Sequence, residues 1–198
     1  TAIEAAVEAH LSSRMKLALD CLEAYELITA VEIFDAIAEG VAHTASGESA
    51  RSELERLKGD PEMARELAAE RALEKAGMAA EEIDCIVLAT ISPDYFFPGT
   101  GVYLQDKLGL REIPCLDVRN QCSGFLYGLK VADVWVRTGM YERVCLVGAE
   151  VHSTGIDFSD EGRDVTVLFG DGAACAILGP TDNDDEGVID VEIHADGS

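Results

Sequence analysis

The sequence predicts an α/β fold, a mixed and mainly parallel sheet with helices on both faces, preceded by a helical segment. Three observations predict it. From about residue 77, apolar runs rich in β-branched residues alternate with helix-length segments, and the order strand, helix, strand, helix, strand builds a parallel sheet. Two of those runs, Ile83–Thr90 (IDCIVLAT) and Arg143–Ala149 (RVCLVGA), are apolar almost throughout, as strands covered on both faces are. Before residue 60 the chain is dominated by Ala, Glu and Leu and shows helical spacing without strand-like alternation.

The pattern sets a boundary near residue 60, with a helical N-terminal segment over 1–60 and an α/β unit over 61–198. In the first, Ile3, Ala6, Val7 and His10–Leu11, then Leu17, Leu22, Leu27, Val31 and Phe34, recur at helical intervals, with breaks at Gly40 and Ser46-Gly47. A helical hairpin, or one long broken helix, followed by a short helix over about 48–58, is expected. In the second, Asp60 is an N-cap candidate and Pro61 suits the first helical position. Glu62 complements the dipole of a helix that runs to Lys75 or Ala76 and ends at Gly77. After the strand Ile83–Thr90 come a helix over Gly99–Leu108, a short strand Cys115–Arg119, a helix Cys122–Thr138 ended by Gly139, and the strand Arg143–Ala149. Thr166–Phe169 and Ala173–Leu178 flank a glycine turn, and an acidic loop (DNDDE) leads into a last alternating strand, Gly187–His194.

A chain of 198 residues holds one sizeable core, or one domain with an appendage, and its 48% hydrophobic content is that of a globular protein. Its 38 acidic and 15 basic residues leave a net charge of −23, which argues against nucleic acid and against an anionic membrane surface as partners. No basic segment leads into an apolar core at the N-terminus, and no apolar run approaches the roughly 18 residues of a membrane span. The six cysteines form no Cys-x-x-Cys pair and have no zinc-ligand spacing, so no metal is expected. Cys85, Cys115, Cys145 and Cys175 lie in apolar runs as small buried hydrophobes, and a reducing cytoplasm suits this usage.

Three segments could carry chemistry. Asn120-Gln121-Cys122-Ser123-Gly124-Phe125 joins a strand end to a helix start, the edge where parallel sheets gather their reactive groups. There the unpaired N–H groups and partial positive charge of the helix lower a thiol's pKa and can stabilise an oxyanion. The position equally suits a structural thiol, and spacing alone does not choose. Phe169-Gly170-Asp171-Gly172-Ala173 is a turn signal that matches neither a Walker A motif nor a dinucleotide fingerprint. Thr90–Pro98 (TISPDYFFP) is a loop stiffened by two prolines, its three aromatics forming either a core satellite or the wall of a pocket or interface. The histidines at 10, 43, 152 and 194 form no triad pattern, although His152 follows a strand end.

Taken in order, AAERALEKAG, IDCIVLATISPDYFFPGTGVYLQDKLGL, LDVRNQCSGFLYGLKVADVWVRTGMYERVCLVGAEVHS, VLFGDGAACAILGP and IHADGS resemble the N-terminal half of ketoacyl-ACP synthase III, a condensing enzyme of the thiolase superfamily. The resemblance spans roughly residues 65–198 and implies the N-terminal half of a thiolase-like fold. It implies that Cys122 takes an acyl group from acyl-CoA as a thioester, its backbone N–H serving the oxyanion. Malonyl-ACP would then decarboxylate and attack the acyl-enzyme to give 3-oxoacyl-ACP in fatty acid biosynthesis. It further implies that Phe97 closes an acyl pocket across a dimer interface, that Arg163 lies near the CoA adenine, and that Gly170, Asp171 and Gly172 form a structural turn behind the site. No cofactor is bound permanently, acyl-CoA being a substrate. The partners implied are an acyl carrier protein and either a second copy of the chain or a second half-chain.

The sequence departs from the family in three respects. The catalytic histidine and asparagine of the family's second half have no counterpart here, so acylation is expected to outrun condensation. Residues 1–60 do not resemble the family's opening, and Ala174 stands where a third glycine is usual. Other condensations of the superfamily (polyketide extension, hydroxymethylglutaryl-CoA synthesis, joining of two acyl chains) and a non-catalytic partner subunit remain alternatives. Lys107, Arg111, Lys130, Arg137 and Arg143 are either a docking patch for an acidic carrier or ordinary solvated charges.

Overall fold

The computed structural model describes residues 2–23, 27–41, 44–183 and 185–197; His43 and one aspartate of the acidic loop, Asp184, lie outside them. The chain divides into two compact units, Thr1–Asp60 and Pro61–Ser198.

The first unit holds three helices, α1 (Ala2–Glu23), α2 (Leu27–Gly40) and α3 (Ala45–Gly59). In α2, buried Ala30, Val31, Phe34, Ile37 and Ala38 repeat at one-turn intervals and make the apolar stripe on which the unit is built. The expected break at Ser46-Gly47 does not occur, because both residues lie in the first turn of α3. Thr44 ends the preceding turn by donating to the Val41 carbonyl (2.9 Å), and its Oγ1 accepts the Gly47 N–H (3.1 Å) as the helix cap. The Ser46 hydroxyl donates to Glu8 (2.6 Å), tying α3 to α1.

The second unit opens with α4 (Pro61–Ala76) and continues through β1 (Cys85–Ala89), α5 (Thr100–Lys107), β2 (Cys115–Val118), α6 (Gly124–Arg137), β3 (Val144–Glu150), the short α7 (Arg163–Thr166) and β4 (Gly172–Leu178). The strands form one sheet in the order β2-β1-β3-β4, in which β1 runs parallel to β2 and β3, and β4 runs antiparallel to β3. The apolar runs are buried on both faces because helices cover both. Ile86, Leu88, Cys145 and Val147 pack with Ala69 and Leu73 of α4 and Leu104 of α5. Cys85, Val87, Val144 and Leu146 pack with Ala132 of α6.

One expected strand differs. Residues 187–194 form no strand, for only Val191 of that stretch is buried and Ile189 is almost wholly exposed. Alternation marks a surface that could pair, and no described strand is hydrogen-bonded to this stretch. Thr166 ends α7, and Val167 and Leu168 after it are exposed rather than covered by a sheet.

Helix α6 lies close on the sheet because its buried stripe is Gly124, Gly128 and Ala132, at four-residue spacing. A Cβ at Gly128 would stand 2.7 Å from Leu146 Cδ1 and 3.2 Å from Val87 Cγ1, both fully buried. Gly128→Val is therefore expected to cost about 1–3 kcal/mol through overpacking. A lower urea midpoint with an unchanged denaturant slope checks this.

Glu70 of α4 is a second point of tension. One of its carboxylate oxygens is buried without a hydrogen-bond partner among the described residues. Burial, and then the neighbouring charge of Glu66, raise its pKa from 4.5 to about 7. The folded state thus holds this proton more tightly than the unfolded state does. The stability it contributes is complete below pH 4.5 and is lost as pH rises through 7. Glu70→Gln is expected to exceed the parent in stability at pH 8 by about 1–2 kcal/mol, allowing for solvent screening, with the difference vanishing below about pH 5. Urea unfolding at the two pH values checks it.

The cysteines divide by environment. Cys85 and Cys145 are buried, Cys115 and Cys175 half-buried, and Cys122 exposed. Burial above all pushes Cys85 up to about 12 and Cys115 up to about 11. The hydrogen-bonded contact with Cys175, at 3.5 Å between sulfurs, joins burial in raising Cys145.

Candidate active site

The parallel strands β1, β2 and β3 deliver their carboxyl ends to one edge of the sheet, and the antiparallel β4 begins at that same edge. Cys122 stands there, after β2. It does not sit in the first turn of α6 as expected, but in a 3-10 turn, Gln121–Ser123, that precedes it. The turn is held locally: Asn120 Nδ2 donates to Ser123 Oγ (3.1 Å), whose hydroxyl donates back to the Asn120 carbonyl (3.2 Å). Gln121 has φ of 34°, a left-handed conformation unusual for a residue with a side chain. The strained residue immediately precedes the exposed cysteine. Helix α6 seats the turn, with Phe125 packed over Gly148 of β3, where a Cβ would meet the ring at 2.9 Å.

A cleft of about 470 Å³ opens beside it, lined by Cys122 together with Ile91, Glu150, His152 and the segment Leu168–Gly172. Its walls come from the loops after β1, β2 and β3 and from the turn before β4. Gly170-Asp171-Gly172, which runs into β4, acts as a bracket. The Asp171 carboxylate accepts the backbone N–H groups of His152 (2.7 Å) and Ser153 (2.8 Å) and the Ser153 hydroxyl. Burial works against ionisation of Asp171, but the Ser153 and His152 bonds outweigh it and hold the carboxyl below its ordinary value. The His152 ring meets Phe169 edge-on at 5.0 Å.

Of the residues singled out from sequence, the cleft gathers Cys122, His152, Gly170, Asp171 and Gly172. It does not include Phe97, which is 89% exposed on the loop after β1, or Arg163, exposed at the start of α7. In the same loop Tyr95 stacks against Tyr103 (4.9 Å) and Arg119 lies over the Phe96 ring (5.4 Å). Four of the five basic candidates are engaged with acids, Lys107 with Glu62, Lys130 with Asp190, Arg137 with Asp133 and Arg143 with Glu82.

Glu150, at the end of β3, is the residue that sequence reasoning passed over. Its carboxylate accepts the N–H groups of Ile91 (3.0 Å) and Ser92 (3.1 Å), the Ser92 hydroxyl (2.6 Å) and the Thr90 hydroxyl (3.3 Å). Ser92 Oγ in turn accepts the Val151 N–H (2.9 Å). The carboxyl ends of β1 and β3 are thus stitched together at the cleft floor. The signal in the sequence was a charged residue closing an otherwise apolar run. Among the described residues no cluster of three or more His, Cys, Asp or Glu side chains could hold a metal ion. Among them no helix is long and apolar enough to cross a membrane.

The fold is thus a mixed, mainly parallel sheet between helical layers, with an exposed cysteine between β2 and α6. Residues 116–197 match the sequence model of 3-oxoacyl-[acyl-carrier-protein] synthase III. The beta-ketoacyl-[acyl-carrier-protein] synthase III of Sulfurovum sp. (strain NBC37-1) is 46% identical over 132 residues, covering 66% of this chain and 38% of the relative. The crystal structure of 3-oxoacyl-[acyl-carrier-protein] synthase III from Aquifex aeolicus superposes with a TM-score of 0.59 at 35% identity, over 63% of this chain and 40% of that one. The priming beta-ketosynthase of the R1128 polyketide biosynthetic pathway superposes equally, with a TM-score of 0.59 at 33% identity, over 63% and 36%. In sequence and in fold the chain is similar to these 3-oxoacyl-[acyl-carrier-protein] synthase III proteins, and it spans about two fifths of their length.

Proposed function

We propose that this chain forms part of a 3-oxoacyl-ACP synthase III-type condensing enzyme of fatty acid biosynthesis, an acyltransferase whose nucleophile is Cys122. The observation that carries the reading is an exposed cysteine, raised on a strained turn at the carboxyl edge of the parallel sheet and opening into a cleft, within the stretch that matches the family. The Cys122 thiolate attacks the thioester carbonyl of acyl-CoA, the tetrahedral oxyanion is met by the Cys122 backbone N–H, and the CoA thiol leaves. In the second step malonyl-ACP loses carbon dioxide, and its carbanion displaces Cys122 to release 3-oxoacyl-ACP. Phe97 bounds the acyl chain from the partner side of a dimer or of a second half-chain, Arg163 meets the CoA adenine, and Gly170, Asp171 and Gly172 brace the loop that carries His152. Acyl-CoA is a substrate, no cofactor is resident, and the enzyme works in the cytoplasm. The domain reading goes with this one: 1–60 is an added helical segment and 61–198 the thiolase-like portion.

Intact-mass spectrometry after incubation with acetyl-CoA, followed by peptide mapping, tests the first step. One acetyl group on the peptide containing Cys122 is expected. No adduct, or an adduct on another cysteine, sinks the assignment.

A polyketide priming reaction is the second reading, favoured by the equal fit to the R1128 priming ketosynthase. It keeps the nucleophile and changes the carrier, so competition between carrier proteins for the acyl-enzyme separates the two.

A further inference from the structure

Arg65 of α4 carries one of the few fully buried charges of the second unit, with 1% of its surface exposed. Its guanidinium pairs with the Asp94 carboxylate through Nη1 and donates to the Ser92 carbonyl through Nη2 (3.2 Å), and both partners belong to the aromatic loop that follows β1. Its Nε has no hydrogen-bond partner among the described residues. A buried ion pair that leaves a donor unsatisfied is a poor source of stability, and apolar side chains of similar volume in place of both partners would hold the fold about as well. What the arginine supplies instead is direction.

Ser92 shows what is being directed. Its N–H and hydroxyl go to Glu150 in the cleft, while its carbonyl goes to Arg65 on the other side. The loop is therefore gripped at its root by two charges of opposite sign, one from β3 and one from α4. Beyond that grip Phe96 and Phe97 stand exposed, each more than three quarters so. Exposed aromatics on a firmly held root are placed in advance for something that binds.

We propose that Arg65 is a positioning residue: acting through Asp94 and Ser92, it fixes where the aromatic tip is presented relative to the Cys122 cleft, and so sets how the cleft engages an acyl chain. The second clause rests on Cys122 being the acyl acceptor; the first does not.

The test uses the full chain with Arg65→Met and Arg65→Lys, and measures three things. Thermal unfolding of Arg65→Met is expected within a few degrees of the parent. Native-state cleavage by chymotrypsin after Tyr95 and Phe96 is expected to rise at least tenfold, with Arg65→Lys in between. In acylation of Cys122 by acetyl-CoA and octanoyl-CoA, the concentration for half-maximal rate is expected to rise at least fivefold for the longer chain while the maximal rate stays constant. Parental cleavage rates in a folded Arg65→Met variant would falsify the proposal. Faster cleavage with parental acylation of both substrates overturns the link to the acyl chain and leaves the anchor standing. A parent that no acyl-CoA acylates overturns the nucleophile assignment, and with it that link, while the cleavage data still decide the anchor. If Arg65→Met fails to fold, the double variant Arg65→Met/Asp94→Leu replaces the pair by apolar groups, and parental cleavage there overturns the proposal equally.

Discussion

Replacing Cys122 by alanine is expected to reduce acyl transfer from acyl-CoA by about 10⁴-fold or more, the loss that follows removal of a covalent nucleophile. The fold should hardly notice. Cys122 is exposed, lies in a turn held by Asn120 and Ser123, and supports no core cluster. Its substitution belongs with surface changes of within about 0.5 kcal/mol. The two measurements belong together, a mass-spectrometric rate and a melting curve on the same sample. Acylation that survives the substitution, in a protein that melts normally, would place the chemistry elsewhere.

Asp94→Ala is expected to be the most damaging single change to stability outside the apolar core. It removes the carboxylate that pairs with Arg65, leaving a guanidinium 1% exposed with the Ser92 carbonyl as its remaining partner among the described residues. An orphaned buried charge costs about 3 kcal/mol or more. For a unit of this size that lowers the melting temperature by about 6–12 °C. Arg65→Met, which removes the charge itself, should cost far less. The inequality distinguishes desolvation from mere contact loss, since deleting either partner removes the same ion pair. Equal destabilisation by the two changes would show that the environment of Arg65 admits water.

How much of this was legible in the sequence depends on how far apart the cooperating residues lie. Strands β1 and β3 could be read because burial on both faces leaves continuous apolar runs, and α6 because a strand end, a cysteine and a glycine precede a helical pattern. The stretch 187–194 was misread for the same reason that it looked convincing. Its alternation is genuine, yet a strand needs a neighbour, and alternation does not supply one. The cysteine was identifiable as a reactive candidate from local sequence, and the ordered motifs made it a specific one. The strained φ of Gln121 was not identifiable, because nothing in its chemistry requires it. Nor were the two grips on the aromatic loop. Arg65 and Asp94 are 29 residues apart, and Ser92 and Glu150 are 58 apart, so only the folded chain brings each pair together. Phe97 and Arg163 rest on resemblance alone, and neither lines the cleft.

The uneven state of the thiols has a practical consequence. Burial leaves Cys85 and Cys115 almost wholly protonated at neutral pH, and Cys145 is locked against Cys175, so among the described thiols only Cys122 stands open to reagents. A maleimide fluorophore or nitroxide should enter there while the native thiols of the sheet remain in place. Among the described thiols, Cys122 is thus the attachment point for a spectroscopic reporter, beside the cleft whose occupancy one would wish to watch.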